Sequence, residues 1–93
     1  MKAIRKYDIT SGQAMVPTVV EFLGVDMDCC HVWLHAIVDP GTDELLRAFW
    51  SFPVDTTFGD ENDFGRFRYL GFAKEEGMFA APPVHVFTLR EWA

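Results

Sequence analysis

Cysteine is scarce in this chain of 93 residues, and its two copies, Cys29 and Cys30, are adjacent. Neighbouring cysteines can close only a strained vicinal ring, so a disulfide between distant parts of the chain is excluded. The sequence also lacks an apolar leader at its amino terminus and any apolar run near the length of a membrane span. We therefore expect a cytoplasmic protein, without membrane contact, whose thiols stay reduced.

Positive charge is also scarce. Eight Lys and Arg residues stand against fourteen Asp and Glu residues, and the formal net charge is −6. Because proteins bind a phosphate backbone mainly through Lys and Arg, this balance argues against a nucleic-acid partner. Seven carboxylates and one arginine fall between Asp39 and Asp63, which accounts for the whole net charge. We expect this acidic segment to be either a solvated loop surface or a patch that faces a basic partner.

Motifs for catalysis and metal binding are missing as well. The chain contains no Gly-x-Ser-x-Gly turn, no phosphate-binding glycine loop and no metalloprotease helix. His31 and His35 would lie about 13 Å apart on one strand, which is too far for one zinc ion. A thiol enzyme would need Cys30, His31 and His85 to converge in a cleft. We expect no catalysis, no cofactor and no metal, with His35 and His85 as half-buried, hydrogen-bonded residues of a sheet.

Aromatic residues, by contrast, are abundant. Nine Phe, three Trp and two Tyr make up 15% of the chain. Such side chains bury large areas, so a single domain that covers residues 1–93 can form a core without support from a metal or a disulfide. The chain is too short for a second domain.

The strongest strand signal runs from His31 to Pro40. Residues alternate between two mostly apolar rows, one containing His31 and Trp33 and the other starting at Val32. A strand that is apolar on both faces is usually central in its sheet, and the Pro40-Gly41 pair that follows is typical of a turn. We expect the domain to pack against Trp33 and against the opposite row.

The remaining sequence predicts an all-β domain. Further strand patterns cover residues 3–9, 14–17, 18–27, 45–52, 66–73 and 84–89, with an acidic loop at 53–65 and a turn at 74–77. We expect five to seven mainly antiparallel strands that close into a sandwich or partial barrel over Trp33, Trp50 and the Phe residues. The alternative is an α+β fold with a short helix near Leu45.

Two of these strand patterns contain many apolar side chains. One side of the predicted strand 45–52 is fully apolar and consists of Leu46, Ala48, Trp50 and Phe52. Simple alternation in 66–73 places Leu70 and Phe72 on the side opposite Tyr69. Arg66 and Arg68 beside these aromatics are faintly similar to a strand that stacks nucleobases, but the net charge favours solvent-facing charges around a core aromatic.

The acidic segment and the aromatic excess together favour a protein-binding module. Aromatic residues dominate interface cores, and charges steer association. We expect a partner with a basic surface and no direct contact with nucleic acid, and a homodimer is left open. The candidate partner-binding residues are Asp43, Glu44, Asp55, Phe58, Asp60, Glu61, Asp63 and Phe64.

The chain opens with Met1-Lys2-Ala3-Ile4-Arg5-Lys6-Tyr7, and Glu21-Phe22-Leu23-Gly24-Val25 leads to the central Trp33-Leu34-His35-Ala36-Ile37-Val38-Asp39-Pro40. The step Tyr69-Leu70-Gly71 and the late Val84-His85-Val86-Phe87 follow. In order and spacing these motifs resemble a family of small proteins common in phages and prophages. The family has no assigned activity. The resemblance implies a phage or mobile-element source, in which small acidic proteins often inhibit host machinery. The chain departs from the family pattern at His35, in the longer acidic loop at 55–63 and in the segment 90–93.

These observations predict a small acidic phage-type protein that binds and inhibits a host protein, for example a CRISPR effector, without catalysis. One alternative is a self-associating phage accessory or structural protein, and a second is a small thiol-dependent enzyme. The sheet surface that carries Trp33 bears on the choice. If it is buried within the monomer it belongs to the core, and if it is exposed it marks a dimer face or a partner site.

Overall fold

A computed structural model describes residues 1–28, 31–56, 64–75 and 81–92 of the chain. In these residues seven strands form two antiparallel sheets, with 3₁₀ turns at Phe64–Arg66 and Arg90–Trp92. The strands are β1 (Ala3–Asp8), β2 (Gln13–Val16), β3 (Thr18–Asp28), β4 (His31–Asp39), β5 (Leu45–Pro53), β6 (Phe67–Ala73) and β7 (Val84–Leu89). The described part of the chain contains no helix long and apolar enough to cross a membrane.

The all-β prediction is confirmed, and the last strand has its predicted bounds. The helical alternative near Leu45 is wrong, because this segment pairs first with β2 and then with β7 along its length. Ladder bonds to two neighbours outweigh the modest helix propensity of its first residues.

β4 is the central strand of the three-stranded sheet, which has the order β1-β4-β3, as its two apolar rows predict. The four-stranded sheet has the order β2-β5-β7-β6. Between β1 and β2 the Ile9 amide donates to the Val32 carbonyl, and the Phe49 amide donates to the Gly12 carbonyl, at 2.9 and 2.8 Å. This turn therefore ties one sheet to the other. The sheets stack into a sandwich whose shortest dimension is 18 Å.

The core between the sheets is mainly aliphatic. Its buried members are Ile9, Val16, Val32, Leu34, Ala36, Val38, Phe49, Leu70, Ala73 and Val86. The prediction that the core forms over Trp33 and Trp50 is wrong, because both side chains lie on outer faces. Either row of β4 is apolar enough to be buried. The row opposite Trp33 contains no polar atoms, whereas the Trp33 row includes two histidines whose nitrogens need partners.

A β-bulge in β6 changes which side chains face outward. The pairing with β7 shifts by one residue between Tyr69 and Gly71, so Leu70 is buried and Phe72 lies on the same outer side as Tyr69. The prediction from simple alternation, which placed Leu70 and Phe72 on one side, is therefore wrong. Gly71 has a φ of 146°, and a Cβ atom there would lie 3.2 Å from Cγ2 of Val25. Glycine thus allows both the bulge and the close approach of the other sheet.

Candidate binding surface on the four-stranded sheet

The outer side of the four-stranded sheet is lined with aromatic rings. On β7, Val86 and Thr88 are buried, so His85 and Phe87, which alternate with them, face outward. The register places Trp50 of β5 and Tyr69 of β6 directly opposite Phe87. Seven residues form this surface, named here the aromatic face: Trp50, Phe52, Phe67, Tyr69, Phe72, His85 and Phe87.

The rings of the aromatic face form a continuous network. Phe87 is its centre, with ring centroids 5.8 Å from Phe52, 6.3 Å from Phe67 and 5.2 Å from Tyr69. Trp50 meets Phe67 edge to face, at 5.1 Å and 87°. Such tilted pairs add about 0.5–1.5 kcal/mol each beyond the area they bury. The rings therefore hold one another in place and present a preformed surface.

Two rings of the aromatic face are the most accessible. The side chains of Tyr69 and Phe72 are 50% and 45% exposed, and Trp50 and Phe87 are half-buried. Both exposed rings belong to β6, an edge strand, and the bulge puts them on the same side. These are the rings that a partner molecule would meet first.

His85 of β7 contacts both of these exposed rings. Its ring centroid is 5.6 Å from that of Tyr69 and 5.1 Å from that of Phe72. The Tyr69 hydroxyl is 2.8 Å from Nδ1 of His85, a hydrogen bond whose donor depends on the histidine tautomer. The prediction of half-buried, hydrogen-bonded sheet histidines is thus confirmed at His85, and at His35, which bonds Asp26. We call Tyr69, His85 and Phe72 the aromatic notch.

The apolar surface extends beyond the rings in two directions. Met15 of β2 and Leu46 of β5 are paired directly and are both exposed. Near the start of β6, a cavity of about 300 Å³ is lined by Trp50, Arg66, Phe67 and Leu89. The outer side of this sheet is therefore apolar along most of β5.

The structure places only some of the predicted partner-binding residues. Asp43 and Glu44 are exposed immediately before β5, and Asp55 is exposed after it. The nine-residue strand separates the two acidic ends by about 26 Å, so they flank the aromatic face without meeting. Four further candidates lie outside the described residues: Phe58, Asp60, Glu61 and Asp63. The backbone of Phe64 begins a 3₁₀ turn, and its side chain is not among those described.

The outer side of the three-stranded sheet has a different chemistry. Nδ1 of His31 lies 2.8 Å from Oδ2 of Asp8, and Nε2 of His35 lies 3.0 Å from Oδ2 of Asp26. Hydrogen bonds from Thr10 and then the contact with His31 hold the pKa of the exposed Asp8 carboxyl below its usual value. Most polar groups near Trp33 are therefore already engaged.

These positions bear on the thiol-enzyme hypothesis. His31 lies on the outer side of one sheet and His85 on the outer side of the other, so the two do not converge. Cys30 lies outside the described residues. Within the described ranges no group of three or more His, Cys, Asp or Glu side chains is arranged to hold a metal ion.

Sequence reasoning did not identify the aromatic face. The signal is the fully apolar row of β5, which includes Trp50 and Phe52, but the sequence predicts that Trp50 belongs to the core. Phe49, on the mixed row, is the residue that the structure buries. The sequence pattern shows two apolar sides of β5 and does not say which of them the second sheet covers.

Comparison of the chain with protein-family models, with curated proteins and with solved structures gives no match. The aromatic face and the charges around it are therefore the features that indicate a function.

Proposed function

We propose that this chain is a small acidic binding protein that contacts a partner protein through the aromatic face, without catalysis. The main support is the exposure of Tyr69 and Phe72 within a surface of seven rings. Large apolar patches on a small protein usually mark an interaction site, because water contact with them is unfavourable. Aromatic residues are also the side chains that contribute most at the centres of interfaces.

Charge favours a partner with a basic surface. The chain has a net charge of −6, and exposed carboxylates flank β5 at Asp43 and Glu44 on one side and Asp55 on the other. An apolar centre with a charged rim is the usual anatomy of a protein interface. The rim charges would speed association with a basic partner and would make it sensitive to salt.

The outer side of the four-stranded sheet is too small to form a stable interface alone. A stable interface covers about 800 Å² on each partner. Three strand spacings of about 4.8 Å and six residues of about 3.3 Å give the outer side of this sheet roughly 14 by 20 Å, or about 300 Å². The aromatic face would therefore supply the centre of the interface, and the acidic segment 39–63 would supply much of the rim.

The biological setting that we propose follows the motif resemblance. The chain would act in the cytoplasm of a bacterial host as a phage-type protein, and binding would inhibit a host defence or nucleic-acid-handling protein such as a CRISPR effector. Such targets handle nucleic acid and have basic surfaces, which suits the acidic charge of this chain.

The first test is affinity capture from a bacterial host lysate at low and raised salt, with mass spectrometry of the captured proteins. The double variant Tyr69→Ser/Phe72→Ser removes the two exposed rings, and Ile4→Ser removes a comparably exposed apolar side chain from the other sheet. We expect wild type and Ile4→Ser to capture the same host protein at low salt and the double variant to lose it. Equal capture by all three would contradict the proposal.

The rim is tested separately. Neutralising Asp60, Glu61 and Asp63 together, as Asn and Gln, should slow association and flatten its dependence on salt. A second triple variant, with neutral residues at Asp43, Glu44 and Asp55, addresses the carboxylates whose exposure is described. Unchanged association by both triple variants at low salt would show that the charges do not steer the encounter.

Self-association is the second candidate, and one observation favours it. Ile4 is 72% exposed on β1, an edge strand, where it is paired with Ile37 on the outer side of the three-stranded sheet. The mass of the purified chain in solution separates the two functions. A dimer that Ile4→Ser converts to a monomer, with no host protein captured, would favour an accessory role.

A further inference from the structure

We infer that the aromatic notch accepts a guanidinium or ammonium group of the partner protein, so that an arginine or lysine side chain is the anchor of the interface. The inference rests on the proposed function, because it names what the aromatic face binds. It is narrower than that function, since an apolar anchor would serve a protein interface equally well.

The geometry of the notch suits a cation. The ring of His85 contacts both exposed rings of β6, tilted by 49° to Tyr69 and by 48° to Phe72. The faces of aromatic rings are electronegative and attract a cation within about 6 Å of the ring centroid. The exposed rings of Tyr69 and Phe72 can therefore each attract a cationic group of the partner.

Two of the chain's own cations lie over other rings. Nζ of Lys6 lies 4.4 Å from the ring centroid of Trp33, and the guanidinium of Arg68 lies 5.0 Å from that of Phe22. In the part of the chain that the structure describes, no cation lies over Tyr69 or Phe72. Trp33 and Phe22 thus show this kind of contact within the chain, and the notch rings can make it with a cation from another molecule.

The charge of the chain favours the same occupant. A net charge of −6 attracts cationic side chains to the chain. Among the described residues, Phe52 of β5 and Phe72 of β6 lie opposite His85 in the register, and the Tyr69 hydroxyl bonds Nδ1 of His85.

The experiment uses the whole chain and two short peptides that differ at one position, arginine in one and citrulline in the other. Citrulline has nearly the shape of arginine without the charge. Binding is followed by the aromatic and imidazole NMR signals at pH 7.5. We expect the arginine peptide to shift the signals of Tyr69, Phe72 and His85, and to bind roughly fivefold or more tightly than the citrulline peptide.

Two substitutions separate a cation site from an apolar one. Tyr69→Leu and Phe72→Leu keep apolar bulk and remove one ring each, and each should weaken the arginine peptide by roughly two- to fivefold while leaving the citrulline peptide unchanged. Ile4→Leu, on the other sheet, should change neither. Equal binding of the two peptides, or full retention of arginine binding by both variants, would overturn the inference.

Dispersed amide spectra of each variant show that it is folded.

The outcomes also separate this inference from the proposed function. Capture of a host protein that depends on Tyr69 and Phe72, together with equal binding of both peptides, would overturn the cation site and leave the binding function standing. In a second outcome, the chain binds the arginine peptide selectively, but Tyr69→Ser/Phe72→Ser captures the host protein as well as wild type does. This outcome would support the cation site and contradict the proposed function.

Discussion

On the outer side of the three-stranded sheet Trp33 lies beneath the ammonium group of Lys6, and each histidine contacts an aspartate. On the outer side of the four-stranded sheet the exposed rings of Tyr69 and Phe72 contact His85 and other rings. Both surfaces come from the same alternation of strand residues. On the first, the tryptophan and the histidines have partners within the chain and Ile4 remains exposed, whereas the second leaves two large ring surfaces in water. A partner gains more free energy by covering the second.

The comparison depends first on which row of each strand is buried. Leu34 is buried on the inner row of β4, and Ile37 of the same strand lies on the outer row. We expect Leu34→Ala to lower the free energy of unfolding by about 2–5 kcal/mol, because it leaves a cavity in the core. Ile37→Ala should cost clearly less. Denaturant unfolding of both variants measures the difference, and equal losses would contradict the assignment of the rows.

The aromatic face depends next on the bulge in β6. Gly71→Ala introduces a Cβ atom 3.2 Å from Cγ2 of Val25 at a φ of 146°, a region that favours glycine. We expect a loss of about 1–3 kcal/mol in the free energy of unfolding. The NMR signals of Phe72 should shift as the bulge relaxes. A variant as stable as wild type, with Phe72 unchanged, would show that the bulge does not need glycine.

The exposed rings of the aromatic face should contribute more to partner binding than to the stability of the fold. Tyr69→Ser/Phe72→Ser removes rings that are about half exposed and contact their neighbours, so we expect a loss in the free energy of unfolding of about 1–2 kcal/mol per residue, below that of Leu34→Ala. The same variant should lose partner capture. Thermal unfolding and capture, measured on one preparation, test both statements. A large loss of stability would indicate that these rings support the fold rather than a partner.

The smallest effect is expected at Asp8 on the three-stranded sheet. Hydrogen bonds from Thr10 and the contact with His31 lower the pKa of Asp8 from its ordinary value of 3.8. The ionised carboxyl therefore stabilises the fold above pH 3.8, and this contribution is lost as the pH falls through the lower folded-state pKa. We expect Asp8→Asn to be slightly less stable than wild type at pH 7 and to lose less stability on acidification.

The measurement for Asp8 is the denaturant midpoint at pH 7 and at pH 2.5. Asp28→Asn is the matched control, since Asp28 is exposed on β3 and its carboxylate makes no hydrogen bond among the described residues. An identical response to acid in wild type and Asp8→Asn would mean that the Thr10 and His31 contacts do not persist in solution.

Much of the fold could be predicted from periodicity and turn residues. The central place of β4 followed from its two apolar rows, and the bounds of β7 from alternation. Two features could not be read in this way. When both rows of a strand are apolar, the row that turns inward depends on the strands that cover it, and this hid the outward position of Trp50. The side on which Phe72 lies depends on a bulge, which is a property of the backbone at Gly71 rather than of the hydrophobic pattern.

The candidate site was predicted less well than the fold. The density of carboxylates predicts that the acidic segment lies at the surface, and Asp43, Glu44 and Asp55 are exposed. The rings of the aromatic face come from three strands, and they meet only through cross-strand register. Register over such distances in the sequence is set by tertiary pairing, so no local pattern could bring Trp50, Phe87 and Tyr69 together.

The order of the four-stranded sheet has a consequence for synthesis on the ribosome. β7 is the last of the seven strands in chain order, yet it lies inside the sheet, between β5 and β6. The three strands of the other sheet all lie within the first 39 residues and can pair early. The aromatic face exists only once Phe87 and His85 have emerged and taken their places. A nascent chain could therefore form the three-stranded sheet well before it completed the surface that binds a partner.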